Sequence, residues 1–227
     1  MEQPQTTTWP EARLSKSYGY GWKQLWKHFV FLLLLTIFLG FADAPASVVR
    51  DQKWDESVIS PILHLIALAY AFLILPVFSY GGDLLFVRAM RDEALEIEGV
   101  VQGFRTNYVH IILAHLITTA LVALGFLFLI VPGIILACRL AFVSYLVMDK
   151  GLEPIAAIEK SWEMTRGHGW RIFGMGLLAI PVFILGLLCF FVGAIVSVMW
   201  VKSAFASLYY AIDARDEWES DPYIVRE

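Results

Sequence analysis

The chain has 227 residues, of which 59% are hydrophobic and only 17% charged, and its mean hydropathy is +0.66. A water-soluble domain sits near half apolar and a quarter charged, so these figures exclude an ordinary soluble globule and point to a surface that faces lipid. The net charge of −4 and the dispersed basic residues exclude nucleic acid as a partner.

A bilayer core takes roughly 20 apolar residues per helix. Such runs occur at about 25–41, 58–80, 108–130, 132–148, 170–192 and 193–212. The expected fold is therefore all-α: a polytopic membrane protein with six transmembrane helices. The first run has basic residues before it and small residues after it, as a signal peptide does. Its long leader favours a retained anchor instead. The third and fourth runs are separated only by Val131-Pro132-Gly133, and the fifth and sixth only by Phe191-Val192-Gly193. Both junctions are read as tight hairpins, since a single helix of more than 40 residues is implausible here.

The basic residues orient the chain. With the N-terminus inside, the inner segments hold Arg13, Lys16, Lys23, Lys27, Arg88, Arg91, Arg105, Lys150, Lys160, Arg166, Arg171, Arg215 and Arg226. The outer segments hold Arg50 and Lys53, while Arg139 and Lys202 fall within the membrane. This asymmetry predicts both termini on the cytoplasmic side.

Three borders repeat an aromatic ring beside a cation: Gly21-Trp22-Lys23, Gly103-Phe104-Arg105 and Gly169-Trp170-Arg171. Each stands before an odd-numbered span, where an aromatic at headgroup depth anchors a helix. The even spans also echo one another. Arg139-Leu-Ala-Phe-Val-Ser144 is followed by Asp149, and Lys202-Ser-Ala-Phe-Ala-Ser207 by Asp213. The pattern suggests three related hairpins, at about 22–80, 104–148 and 170–213, in one membrane domain. A connector runs from 81 to 107. A second carries a predicted helix over about 154–166, opened by Glu153-Pro154 and ended by Gly167, lying on the inner membrane face. The tail, 214–227, is charged and is expected to fray.

Small residues at four-residue spacing form flat ridges for close helix packing: Gly133, Ala137 and Ala141, then Gly193 and Ser197, then Ser203, Ser207 and Ala211. Pro61, Pro76 and Pro181 are expected to bend their helices.

Arg139 and Lys202 are the most informative polar residues. Each lies within a span, about 9 Å and about 13 Å past its opening glycine at 1.5 Å per residue. A cation at that depth needs a partner or an escape route, and no Asp or Glu falls within the expected spans. Either both side chains snorkel outward, or together they form an electropositive pocket for a lipid phosphate or another anion. His110 and His115 are five residues apart and do not share a helix face, and no HExxH occurs, so no metal site is expected. Cys138 and Cys189 lie in apolar runs without CxxC spacing and read as small buried hydrophobes. No nucleophile elbow, phosphate loop or dinucleotide-binding glycine pattern occurs. Nothing argues for an enzyme, and no cofactor is expected.

The stretch from Leu129 to Leu177 contains Leu-Ile-Val-Pro-Gly-Ile-Ile-Leu, then Met148-Asp-Lys-Gly, then Ala157-Ile-Glu-Lys-Ser-Trp-Glu-Met-Thr-Arg-Gly-His-Gly-Trp-Arg. It resembles the YciC-like family of bacterial inner-membrane proteins and the related membrane domain found fused to some glycerophosphodiester phosphodiesterases. The resemblance implies a bacterial cytoplasmic membrane and a six-helix domain. It marks Pro132 and Gly133 as the hairpin and Ala157, Ser161 and Gly167 as the connector, and it names no catalytic residue. The phosphodiesterase activity belongs to a separate domain that has no room in this chain.

Two functions compete. One is a non-enzymatic module that organises membrane lipids, with a second copy or another protein as further candidate partners. The other is a small transporter or channel for an anionic or lipid-like solute, which would line its path with polar groups near the midplane.

Overall fold

Apolar segments in lipid have no water to satisfy their backbone amides, so they close their hydrogen bonds internally as helices. The computed structural model describes residues 12–51, 59–188 and 190–220, and no strand occurs among them. In chain order the helices are α1 (Leu14–Lys27), α2 (Phe29–Asp51), α3 (Ile59–Leu73), α4 (Leu75–Arg91), α5 (Glu98–Arg105) and α6 (Tyr108–Phe128). They continue with α7 (Ile130–Arg139), α8 (Val143–Asp149), α9 (Pro154–Met164), α10 (Gly169–Leu188) and α11 (Phe190–Ser220). Five segments are long and apolar enough to cross a membrane: Pro61–Arg91, Tyr108–Phe128, Ile130–Asp149, Gly169–Leu188 and Val192–Trp218. The α1–α2 pair makes a sixth when counted as one bent span. The protein is an all-α polytopic membrane protein.

The first expected span, 25–41, does not run straight. The chain turns by 98° at His28, which separates α1 from α2. α1 is amphipathic: Ser17, Tyr18, Gly21, Gln24 and Leu25 are buried on one face, and Lys16, Lys23 and Lys27 are exposed on another. It straps three other helices together. The Tyr18 hydroxyl donates to the Met175 carbonyl (3.0 Å), the Tyr20 hydroxyl to the Met90 carbonyl (2.9 Å), and the Trp200 indole to the Tyr18 carbonyl (3.1 Å). Gly21 lets α1 touch the α11 backbone; a Cβ there would stand 3.0 Å from Ala204 N.

The second expected span, 58–80, and the connector after it are also corrected. Val58 lies outside the described residues. The helix breaks at Ile74, where Pro76 removes an amide donor, and then continues through Gly81, Gly82 and Asp83 to Arg91. The two glycines do not end the helix; they seat neighbours. Gly81 lies against the Val100 backbone of α5, and a Cβ on Gly82 would come within 2.6 Å of Leu39 Cδ1.

Three further boundaries move. The turn between α6 and α7 falls on Leu129, which is extended (φ −163°, ψ 153°), so Pro132 and Gly133 sit in the first turn of α7. Proline suits a first turn because its missing donor is not needed there. Gly133 is buried, with its Cα 2.9 Å from where a Cβ on Gly125 would lie. α10 ends at Leu188 and α11 begins at Phe190, so Phe191, Val192 and Gly193 belong to α11. Cys189 lies outside the described residues. The tail is helical as far as Ser220, and 221–227 lie outside.

α4, α8 and α11 form the centre. Phe86, Leu146, Leu208 and Tyr209 are among their fully buried side chains. The outer faces of α2, α6 and α10 expose leucines, isoleucines and phenylalanines, as a lipid-facing belt does. Of the expected ridges, Ser203, Ser207 and Ala211 are buried, whereas Ala137 is exposed.

Candidate functional site

A charged side chain within a membrane helix is stable only when another group answers it. Lys202 of α11 has such a partner in Asp83 of α4: its Nζ donates to Oδ1 at 2.7 Å. The ammonium also lies 5.8 Å from the Phe86 ring centroid. The expectation that no carboxylate lies within a span is corrected here. Asp83 falls in the connector expected from 81 to 107, yet α4 continues through it to Arg91.

A second charged cluster gathers where α4, α8 and α11 end. The Arg91 guanidinium forks onto Asp149, Nη1 to Oδ1 at 2.6 Å and Nη2 to Oδ2 at 2.8 Å. Its Nη2 also donates to Asp213 Oδ2 at 2.9 Å. The Tyr209 hydroxyl donates to Asp149 Oδ2 at 2.8 Å. Lys150 bridges Asp213 at 3.1 Å and also pairs with Glu217. The side chains of Asp149 and Asp213 are only 8% and 7% exposed, so this is a partly desolvated network with a bidentate arginine at its centre. The two aspartates singled out by the echo between the even spans therefore meet on one arginine from a third helix. For Lys150, burial acts downward, but Glu217 and Asp213 outweigh it and raise its pKa overall. Nearby, Lys27 and then His28 hold the Asp92 carboxyl below its ordinary pKa.

Arg139 stands elsewhere. α7 stops there, and the helical ladder is interrupted at Leu140–Phe142 before α8 resumes. Ser161 of α9 fills the gap. Its hydroxyl donates to the Arg139 carbonyl at 2.8 Å and accepts the Phe142 amide at 3.3 Å. Thr165 Oγ1 adds a longer bond to the same carbonyl, 3.4 Å. Ser161, Thr165 and Ala157 are fully buried, which explains a serine and an alanine four residues apart on the connector. Pro154 opens α9, and Gly167 follows it at φ +76°, a left-handed value suited to glycine. Ile155 and Trp162 of α9 are exposed.

The Arg139 guanidinium lies 5.4 Å from the Trp162 ring centroid. It thus turns toward the α9 connector and not along α7 toward that helix's first turn, as outward snorkelling would require. Its Nη1 is buried with no hydrogen-bond partner among the described residues. Beside it a cavity of about 610 Å³ opens between α7 and α10, lined by Val131, Ile134, Ile135, Cys138, Arg139, Gly167, Gly169, Trp170 and Phe173. Arg139 and Lys202 do not share this cavity: one faces α9 and α10, the other α4.

The border residues lie at three places. Trp22, beside the exposed Lys23, packs on Trp200 with ring centroids 4.8 Å apart. Phe104 meets Phe78 (5.3 Å) and Tyr108 (6.0 Å), with Arg105 exposed next to it. Trp170 is 85% exposed at the start of α10 and precedes Arg171. The sequence does not single out Asp83 and Arg91 as interaction centres. Ser161, which the resemblance marks as part of the connector, is the residue that mends the break after Arg139. Comparison with protein-family models, curated proteins and solved structures returns no match.

Proposed function

We propose that this chain is a non-enzymatic module that organises lipids in a bacterial cytoplasmic membrane, with both termini on the cytoplasmic side. The observation that carries this reading is how the embedded charges are used. Lys202 closes on Asp83, and Arg91 on Asp149 and Asp213; these pairs fasten the central helices and leave α4, α8 and α11 locked against one another. Arg139 keeps an unmet N–H group beside a cavity between α7 and α10. The excess of basic residues at the end where Lys27, Arg91 and Lys150 gather supports the orientation. The resemblance of 129–177 to YciC-like proteins supports the bacterial membrane.

Vesicles loaded with carboxyfluorescein and containing the reconstituted chain test this reading. They should leak at the protein-free rate, while the detergent-extracted protein carries bound phospholipid. Dye efflux that rises with protein dose would favour the transporter. One observation favours that second reading: the hydroxyls of Ser203 and Ser207 on α11 are buried and have no partner among the described residues.

A further inference from the structure

We infer that the cleft between α7 and α10 binds one anionic phospholipid, its phosphate on Arg139 and an acyl chain along the apolar wall. The inference rests on the lipid-organising reading and gives it a site and a ligand class. Its volume, about 610 Å³, falls in the range of small-molecule sites, about 300–1,000 Å³.

The cleft has the polarity of a lipid. At one end are Arg139, Gly167, Gly169 and Trp170, where α10 begins. The positive end of the α10 dipole and the unpaired Nη1 of Arg139 both call for an anion. The two glycines have no side chains to obstruct a headgroup, and the exposed Trp170 indole suits headgroup depth. Moving along α7 from Arg139 toward its start, the wall is Ile135, Ile134 and Val131, faced by Phe173 of α10. Eight residues separate Arg139 from Val131, about 12 Å of apolar trough at 1.5 Å per residue.

The charge balance selects the class. None of the nine lining residues is acidic, so the cleft answers a phosphate but offers no carboxylate to a choline or ethanolamine ammonium. One face of the guanidinium is already covered by Trp162. A planar fork of donors binds phosphate oxygens through its edge.

The test uses the full chain in vesicles of equal parts phosphatidylglycerol and phosphatidylcholine, extracted in mild detergent, with bound lipids counted by native mass spectrometry. Wild type should retain one phosphatidylglycerol in preference to phosphatidylcholine. Arg139→Gln should lower that retention about tenfold, the loss of one charge-assisted contact. Ile135→Trp fills the trough while keeping the cation, and should also lower it; this variant answers the question if Arg139→Gln does not fold. Arg105→Gln, outside the cleft, should retain lipid as wild type does. The inference is overturned if both cleft variants retain phosphatidylglycerol like wild type, or if wild type keeps both lipids equally. Full displacement by glycerol 3-phosphate would also overturn it, since the site would then read a free phosphate. In each case lipid held elsewhere would leave the module reading standing; dye efflux in the vesicle assay is what removes that.

Discussion

Ser161 shows how one hydroxyl makes a broken helix tolerable in an apolar setting. An interruption at Leu140–Phe142 would leave an amide and a carbonyl without partners, and each unmet buried group costs several kcal/mol in lipid. The Ser161 hydroxyl accepts one and donates to the other. Ser161→Ala should therefore lower stability by about 1–3 kcal/mol, the cost of unsatisfied buried groups. Thermal unfolding in detergent reads the change; Ser161→Cys, which keeps a weak donor and acceptor, should fall between the two. Arg139 is tied to the same feature, because its carbonyl takes the serine bond and its side chain reaches α9. The sequence marks Arg139 as an embedded cation but does not reveal where it points. Direction depends on the break after it, and Leu-Ala-Phe carries no breaker.

At the scale of elements, the glycines inside helices bring neighbouring helices together. Gly21 meets α11, Gly81 meets α5, and Gly125 meets Gly133 across the α6–α7 turn. Where no hydrophobic effect drives helices together, such close approach supplies the packing. Gly81→Leu should push α5 off α4 and cost at least the about 1–3 kcal/mol of an overpacked core. Protease cleavage in 93–97 should quicken, while Gly19→Leu, at a position with open space around it, should leave cleavage unchanged.

This use of glycine also explains which elements were legible in the sequence. Apolar runs exposed α6 and the start of α10 closely, because no other pattern competes within them. α9 was legible from its proline start and glycine end. The α1–α2 bend was not: hydropathy averages along the chain and carries no direction, so Leu25 reads as part of the run that follows it although it lies on the buried face of α1. Gly81-Gly82 concealed the continuation of α4, and with it Asp83. A glycine pair signals a turn unless another backbone needs the space, and that need is visible only once α5 is in place.

For the whole molecule, the central feature is a set of embedded charges that close on one another. Asp83–Lys202 and Arg91–Asp149–Asp213 both join α4 to α11, with the sign of each helix's contribution reversed between them. This reversal fixes how the two helices align, because sliding one along the other brings like charges together. None of these partners was legible as a pair, since each joins residues more than 50 positions apart. A lock and a transport path make different demands on such charges. A lock tolerates replacing both partners by apolar groups and is damaged by replacing one, because the remaining charge is stranded.

A double-mutant cycle on Lys202 and Asp83, read by thermal unfolding in detergent, tests this most directly. Lys202 is 30% exposed, so Lys202→Met alone should cost less than the about 3–5 kcal/mol of a fully buried pair. Asp83→Leu alone should also destabilise, and the double variant should recover most of the loss while still retaining lipid. Single variants as stable as wild type, or a double variant at least as unstable as the sum of the two, would contradict the lock.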